Sequence, residues 1–223
     1  MKESRIEQCV ICGDTGPVTD DHIPPSNLFP HPQPSDLQTV PACRSCNLGA
    51  SKDDEYFRNA LVLREDLYDH PAVQCLIPGV MRSFVRPQAR KFARRFLGSI
   101  RETNIVTPSG IYLGRKPVCT VTWQRVERVL VKIIRGYHFI EFGQPLPAGY
   151  RVNVYETSTL NDLEPAAAAC LKTMCTTVVT HGKGRSFGGD VFEYRFMPVE
   201  GDPCRSWWVI RFYGKMTFVG HVT

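Results

Sequence analysis

The sequence predicts an α+β fold with a mainly antiparallel sheet in its C-terminal half. Three observations carry that reading. Residues 1–53 hold two Cys-x2-Cys pairs among Pro, Asp and Gly, with only short apolar runs. The middle of the chain places apolar residues at helical spacing, with arginines on neighbouring faces. The last third alternates apolar and polar residues in runs bounded by turn residues, which is the texture of strands. The chain divides accordingly into residues 1–66, a small metal-organised module; residues 67–110, a basic helical segment or linker; and residues 111–223, an α+β unit of unknown role.

At 223 residues, 43% hydrophobic and 22% charged, the chain is long enough to build a core without disulfide staples. The composition excludes a disordered chain, a collagen-like chain and a coiled coil. No run of eighteen apolar residues occurs, so no membrane helix and no membrane partner is expected. The N-terminal stretch lacks the apolar segment of a signal peptide, so a cytoplasmic setting with reduced thiols is expected. The nine cysteines fit that setting, since their number is odd. Net charge is +5, but it is unevenly spread. Residues 80–101 hold seven Lys/Arg and no acid, and residues 115–136 hold six Lys/Arg and one acid. Such zones suit a polyanion; two solvated helix faces would look the same.

Taken in order, Asp53-Asp54-Glu55 supply acids at a helix start and YFRNALVLRED continues the helix. A second helical stretch runs from about Val80 to Leu97. Met81, Phe84, Phe92 and Phe96 form its apolar stripe. Arg82, Arg86, Arg90 and Arg94 recur every fourth residue beside it, and Pro87 is placed to start a new helix. A turn-rich linkage follows near 98–118. Trp123 to about Ile140 reads as an amphipathic helix with Val126, Leu130, Ile133 and Tyr137 inward, and Arg125, Arg128, Lys132 and Arg135 towards another face. Tyr150–Glu156 reads as a strand and Leu163–Met174 as a helix. Val191–Val199, Trp207–Tyr213 and Met216–Val222 read as strands, the last two joined by a hairpin at Gly214-Lys215. Their aromatics, from Phe192 to Tyr213, read as core rather than as a nucleic-acid platform.

Cys9-x2-Cys12 and Cys43-x2-Cys46 carry the strongest chemical signal. Two such pairs complete a four-thiolate, tetrahedral, structural Zn²⁺ site; a redox Cys-x2-Cys is the alternative. The other five cysteines read as small buried hydrophobes. A closed site of this kind does no catalysis, but it staples a segment that cannot form its own core. That segment contains Asp21-His22, and Asn47 directly follows the last cysteine of the two pairs.

These residues resemble a known family. The order Cys-x2-Cys-Gly, then Asp21-His22-Ile23-x-Pro25, then an apolar run into Cys43-x2-Cys46-Asn47, is similar to the HNH endonucleases. Those belong to the ββα-metal (His-Me finger) nucleases, here of the zinc-bound treble-clef type. The HNH domain of guide-RNA-directed CRISPR nucleases carries a similar Asp-His-Ile-x-Pro element. The resemblance covers residues 6–60, about a quarter of the chain. It implies a nuclease that hydrolyses DNA to 5′-phosphate and 3′-hydroxyl ends. His22 matches the general base that activates water, a role that suits an imidazole near neutral pH. Asp21 and Asn47 match the ligands of a catalytic Mg²⁺ or Mn²⁺, which their hard oxygens suit. Asp36 stands where the family usually has an Asn that braces the His-bearing loop. An ionised Asp can accept such hydrogen bonds but not donate them, so the pattern is of H-D-N type.

Within this reading the basic residues gain a role. Lys52, Arg82, Arg86, Arg90, Lys91, Arg94 and Arg95 are candidate phosphate contacts, which would place a nucleic acid without reading its sequence. DNA is favoured over RNA. Two other readings stay open. One is a zinc-stapled module that binds nucleic acid without cutting it, which the Asp36 departure favours. The other is a subunit that docks on a protein partner, for example in a bacterial defence assembly.

Overall fold

The computed structural model describes residues 5–107 and 109–223, and among these the side chains of all but Gln88 and Phe92. The place of Phe92 in the expected apolar stripe thus lies outside the described side chains.

The chain begins with a three-stranded antiparallel sheet in the order β1-β2-β3. Strands β1 (Arg5–Gln8) and β2 (Thr15–Ile23) form a hairpin around the first cysteine pair. Gly13, at a φ of 85°, closes the turn with its N–H donating to the Cys9 carbonyl at 2.8 Å. A left-handed residue there favours glycine. Strand β3 (Gln38–Cys43) pairs with β2 in a register that sets Val18 opposite Cys43 and His22 opposite Thr39. The loop 24–37 between them buries Pro24, Pro25, Leu28 and Phe29. A short helix α1 (Arg44–Asn47) then leads into α2 (Ser51–Val62).

Helix α3 (Pro71–Val85) starts nine residues before the Val80 expected from sequence. His70 caps it, accepting at Nδ1 from the Ala72 N–H at 3.2 Å, and Pro71 fills the first helical position. Met81 is exposed, so it does not belong to an inward stripe, whereas Val80 and Ser83 are buried. Arg86 is extended ahead of Pro87, and α4 (Arg90–Leu97) follows as a separate helix. The expected linkage proves to be a second hairpin, β4 (Ile100–Val106) with β5 (Tyr112–Cys119). Its residues are mostly exposed. With neither face buried, no apolar alternation marked these strands in the sequence.

The C-terminal half holds α5 (Trp123–Phe142), α6 (Pro165–His181) and a five-stranded antiparallel sheet in the order β6-β10-β9-β8-β7. The strands are β6 (Val152–Glu156), β7 (Lys183–Phe187), β8 (Phe192–Val199), β9 (Asp202–Phe212) and β10 (Met216–Val222). Phe192, Tyr194 and Phe196 alternate along β8, and Trp208, Ile210 and Phe212 along β9, on the face that packs against α5. Tyr137 of α5 stacks on Tyr194 with ring centroids 3.9 Å apart. The opposite face buries Leu160, Leu171 and Val219 beneath α6. Gly220 of β10 lets α5 approach closely, since a Cβ there would lie 2.6 Å from Ile134 Cδ1. These aromatics are core, as their alternation implied.

One hydrophobic core runs from Val10 to Val222 and draws residues from all three segments read from the sequence. Among the described residues no helix is long and apolar enough to cross a membrane. Within the core sits His138, 0% exposed, with no hydrogen-bond partner on either ring nitrogen. Burial, then the nearby Arg135, depresses its pKa to about 4. A folded pKa below the unfolded value of about 6.5 means stability is intact above pH 6.5 and is lost as pH falls towards 4. Urea unfolding from pH 7 to pH 4 is expected to show up to about 3 kcal/mol of loss that His138→Phe removes.

Candidate metal centre and the His22 strand

The β1–β2 turn presents Cys9 and Cys12, and the β3–α1 junction presents Cys43 and Cys46. Their four sulfur atoms lie within 4.8 Å of one another. Cys12 Sγ and Cys43 Sγ are 3.8 Å apart. A tetrahedral ion with Zn–S bonds of about 2.3 Å needs sulfurs about 3.8 Å apart, so the four cysteines could hold a zinc ion. Backbone bonds order the site: the Cys9 N–H donates to Asp14 O at 2.8 Å within the first turn, and the Val10 N–H donates to Pro41 O at 2.9 Å, tying that turn to β3. A hydrogen bond with Ser45, then weaker contacts within the cluster against some burial, holds the Cys43 thiol down at about 6. Burial pushes Cys12 up to about 11 and raises Cys46 as well. The five other cysteines lie outside the cluster, and Cys75 and Cys170 are exposed rather than buried.

Strand β2 carries the other candidate residues. Burial alternates along it, so Asp21 and Ile23 point into the protein and His22 is exposed. Asn47 is tied to the same strand. Its Nδ2 donates to Thr19 Oγ1 at 3.0 Å and to the Asp20 carbonyl at 3.2 Å, which leaves its amide oxygen as the acceptor end. The structure thus brings His22, Asp21 and Asn47 to one strand and the helix beside it.

Asp21 has a partner that the sequence reading did not assign. Lys132 of α5, 3% exposed, donates from Nζ to Asp21 Oδ2 at 3.3 Å and to Asp54 Oδ2 at 2.8 Å. Helical spacing set Lys132 with Arg125, Arg128 and Arg135 on a face away from the apolar stripe, whereas in the structure it is buried. Its apolar neighbours, Val129-Leu130-Val131 and Ile133-Ile134, are the signal that marks it as buried. Burial raises both carboxyls, and Lys132 opposes the rise without cancelling it. Asp54 Oδ1 has no partner. Asp53, next in line, binds Arg125 at 2.6 Å and Arg128 at 2.7 Å. The acids at the start of α2 therefore join α2 to α5.

The end of the His22 strand and the loop that follows it are braced by two tyrosines far away in sequence. Tyr137 donates its hydroxyl to the Ile23 carbonyl, and Tyr213 donates to the Leu28 carbonyl, both at 2.9 Å. Gln33 closes the loop on Ser26 O at 2.8 Å. Gly136 of α5 accepts the Ile23 side chain directly against its backbone, where a Cβ would lie 2.7 Å from Cγ1. Asp36 is exposed on this loop, and its backbone carbonyl accepts from Gln38 Nε2 at 3.0 Å. Of the basic residues, Lys52, Arg86, Lys91 and Arg95 line one cavity, whereas Arg82, Arg90 and Arg94 are exposed outside it.

No protein-family model, curated protein or solved structure matches the chain. The resemblance to HNH endonucleases rests on the residues of the N-terminal quarter alone.

Two outcomes test this geometry. Purified protein is expected to carry one zinc per chain by elemental analysis, and Cys43→Ser to lose it together with a lowered melting temperature. Lys132→Met would leave two buried carboxylates without a counter-charge. It is expected to cost about 3–5 kcal/mol in urea unfolding at pH 7, more than Arg128→Met at the exposed edge of the same interface.

Proposed function

We propose that this chain is an HNH-type endonuclease that hydrolyses phosphodiester bonds in DNA. The observation that supports the reading is His22: an exposed imidazole on β2, with Asp21 next to it on the inward face and Asn47 hydrogen-bonded to the same strand at Thr19 and Asp20. In this reading His22 takes the proton from a water that attacks the scissile phosphorus. Tyr137 and Tyr213 keep the His22 loop in place, and the four-cysteine zinc site keeps β2, β3 and α1 in register. Asp21 and Asn47 offer a carboxylate and an amide oxygen, a donor set that fits a hard divalent cation such as Mg²⁺ or Mn²⁺. Such an ion would neutralise charge on the phosphate and on the leaving oxygen.

The Lys132 ion pair favours a second reading. A buried ammonium already neutralises the carboxylate that would meet the metal, which suits a module that binds nucleic acid, or docks on a protein partner, without cutting.

A nicking assay on supercoiled plasmid separates the two. Zinc-loaded protein is expected to nick in Mg²⁺ or Mn²⁺ and not in EDTA, with His22→Ala slower by roughly 10²–10⁴-fold. Equal cleavage by His22→Ala would remove His22 from the chemistry. No cutting by well-folded wild type would leave the binding module standing.

A further inference from the structure

Helices α2, α4 and α5 and the segments beside them enclose a cavity of about 660 Å³. Its charge is one-sided. Lys52 comes from α2, Arg86 from the break between α3 and α4, Lys91 and Arg95 from α4, and Arg125 from α5; Glu55 is the one acid in the lining. Glu55 is paired with Arg58 at 3.7 Å. Arg125 is held in place, with Nε on Asp53 at 2.6 Å, a terminal nitrogen on the Lys52 carbonyl at 2.5 Å, and its guanidinium 4.3 Å from the Tyr56 ring centroid. The other four cations have no acidic partner among the described residues. Four like charges turned towards one cavity repel, and an anion inside it removes that cost.

We infer that this cavity binds the phosphate groups of a nucleotide. Its volume is that of a small-molecule site, far larger than one inorganic phosphate needs. A concave pocket suits a single nucleotide unit, whereas the backbone of a duplex is convex and would meet only the rim. The floor is apolar, built on Tyr56 and Phe96 in edge-to-face contact with centroids 6.0 Å apart. The surrounding cations take the phosphates, while the base or sugar lies over the guanidinium of Arg125, which already covers the Tyr56 ring. The nucleotide is either free or an unpaired unit of a single strand, since both present the same group. No residue of the His22 strand lines the cavity, so the inference stands whether or not His22 cuts.

The test uses full-length, zinc-loaded protein carrying His22→Ala, so that cleavage does not enter. Equilibrium dialysis would compare ATP, adenosine and inorganic phosphate; fluorescence anisotropy would compare a labelled twelve-nucleotide single strand with its blunt duplex. ATP, the single strand or both are expected to bind, with adenosine and phosphate at least tenfold weaker than ATP. Binding of ATP alone assigns the free nucleotide. Binding of the strand, with ATP competing, assigns the unpaired unit. Arg86→Ala combined with Arg95→Ala is expected to weaken binding at least tenfold, with zinc content and melting temperature unchanged because both side chains are exposed. Lys91→Glu serves as an independent second variant with the same expected loss. Failure of both probes to bind, preference for the duplex, phosphate binding as tightly as ATP, or binding that survives these variants would overturn the inference.

Discussion

The ammonium of Lys132 holds together two carboxylates that would otherwise repel, and the arrangement of the N-terminal half depends on it. Asp21 comes from strand β2, Asp54 from helix α2 and Lys132 from helix α5. In a buried site a charge pair is strong and an unpaired charge is costly, so the three elements are stable only together. Ile23 seated on Gly136 and Tyr137 bonded to the Ile23 carbonyl act on the same strand within two residues of Asp21. The position of His22 is consequently set by α5, a helix about 110 residues further along the chain. This explains why the hairpin of the four-cysteine cluster shares one core with the C-terminal sheet instead of standing as a separate bead.

What could be read from the sequence is what repeats locally. The cysteine spacing pointed to the four-sulfur cluster, and the alternation in Val191–Val199 and Met216–Val222 pointed to β8 and β10 with their buried aromatic face. Helix α5 was legible from its period, within two residues at its end. The hairpin β4–β5 was not, because neither of its faces is buried and so neither is patterned. The start of α3 was missed because Pro71 and the His70 cap sit ahead of a stretch, Leu76 to Gly79, with no polar counterface. The Lys132 partner of Asp21 and the tyrosine braces at Ile23 and Leu28 are tertiary contacts between residues over a hundred positions apart. They leave no local pattern beyond a lysine set inside an apolar run.

Counting charge along the chain and placing it in space give different answers for the basic zones. Along the sequence, Arg82 to Arg95 form one continuous stripe. In three dimensions it divides by helix face: Arg86, Lys91 and Arg95 face the cavity, and Arg82, Arg90 and Arg94 do not. The second zone divides as well. Arg125 and Arg128 are drawn onto Asp53, and Lys132 is consumed by Asp21 and Asp54. Most of the cationic surplus of the α5 region is thus structural, while that around α4 is left uncompensated. The face of α4 on which each arginine or lysine falls, rather than the number of them, decides where an anion is attracted.

Lys132 also bears on how a divalent cation would be held beside His22. Two carboxylates and one ammonium leave a net charge of −1 in the triad, with Asp21 Oδ2 already engaged. In the proposed nuclease reading, what would remain for a cation is the second oxygen of Asp21 and the amide oxygen of Asn47, a weak site in isolation. Hard cations of the Mg²⁺ type are often completed by substrate phosphates rather than by protein alone. In the nuclease reading, metal and phosphate therefore bind cooperatively, each supplying the charge that the other needs. By linkage, an ion that sharpens affinity for nucleic acid must itself be bound more tightly when nucleic acid is present. In the binding-module reading the ammonium fully replaces the ion, and affinity for nucleic acid is the same with Mg²⁺ as without it beyond ordinary screening.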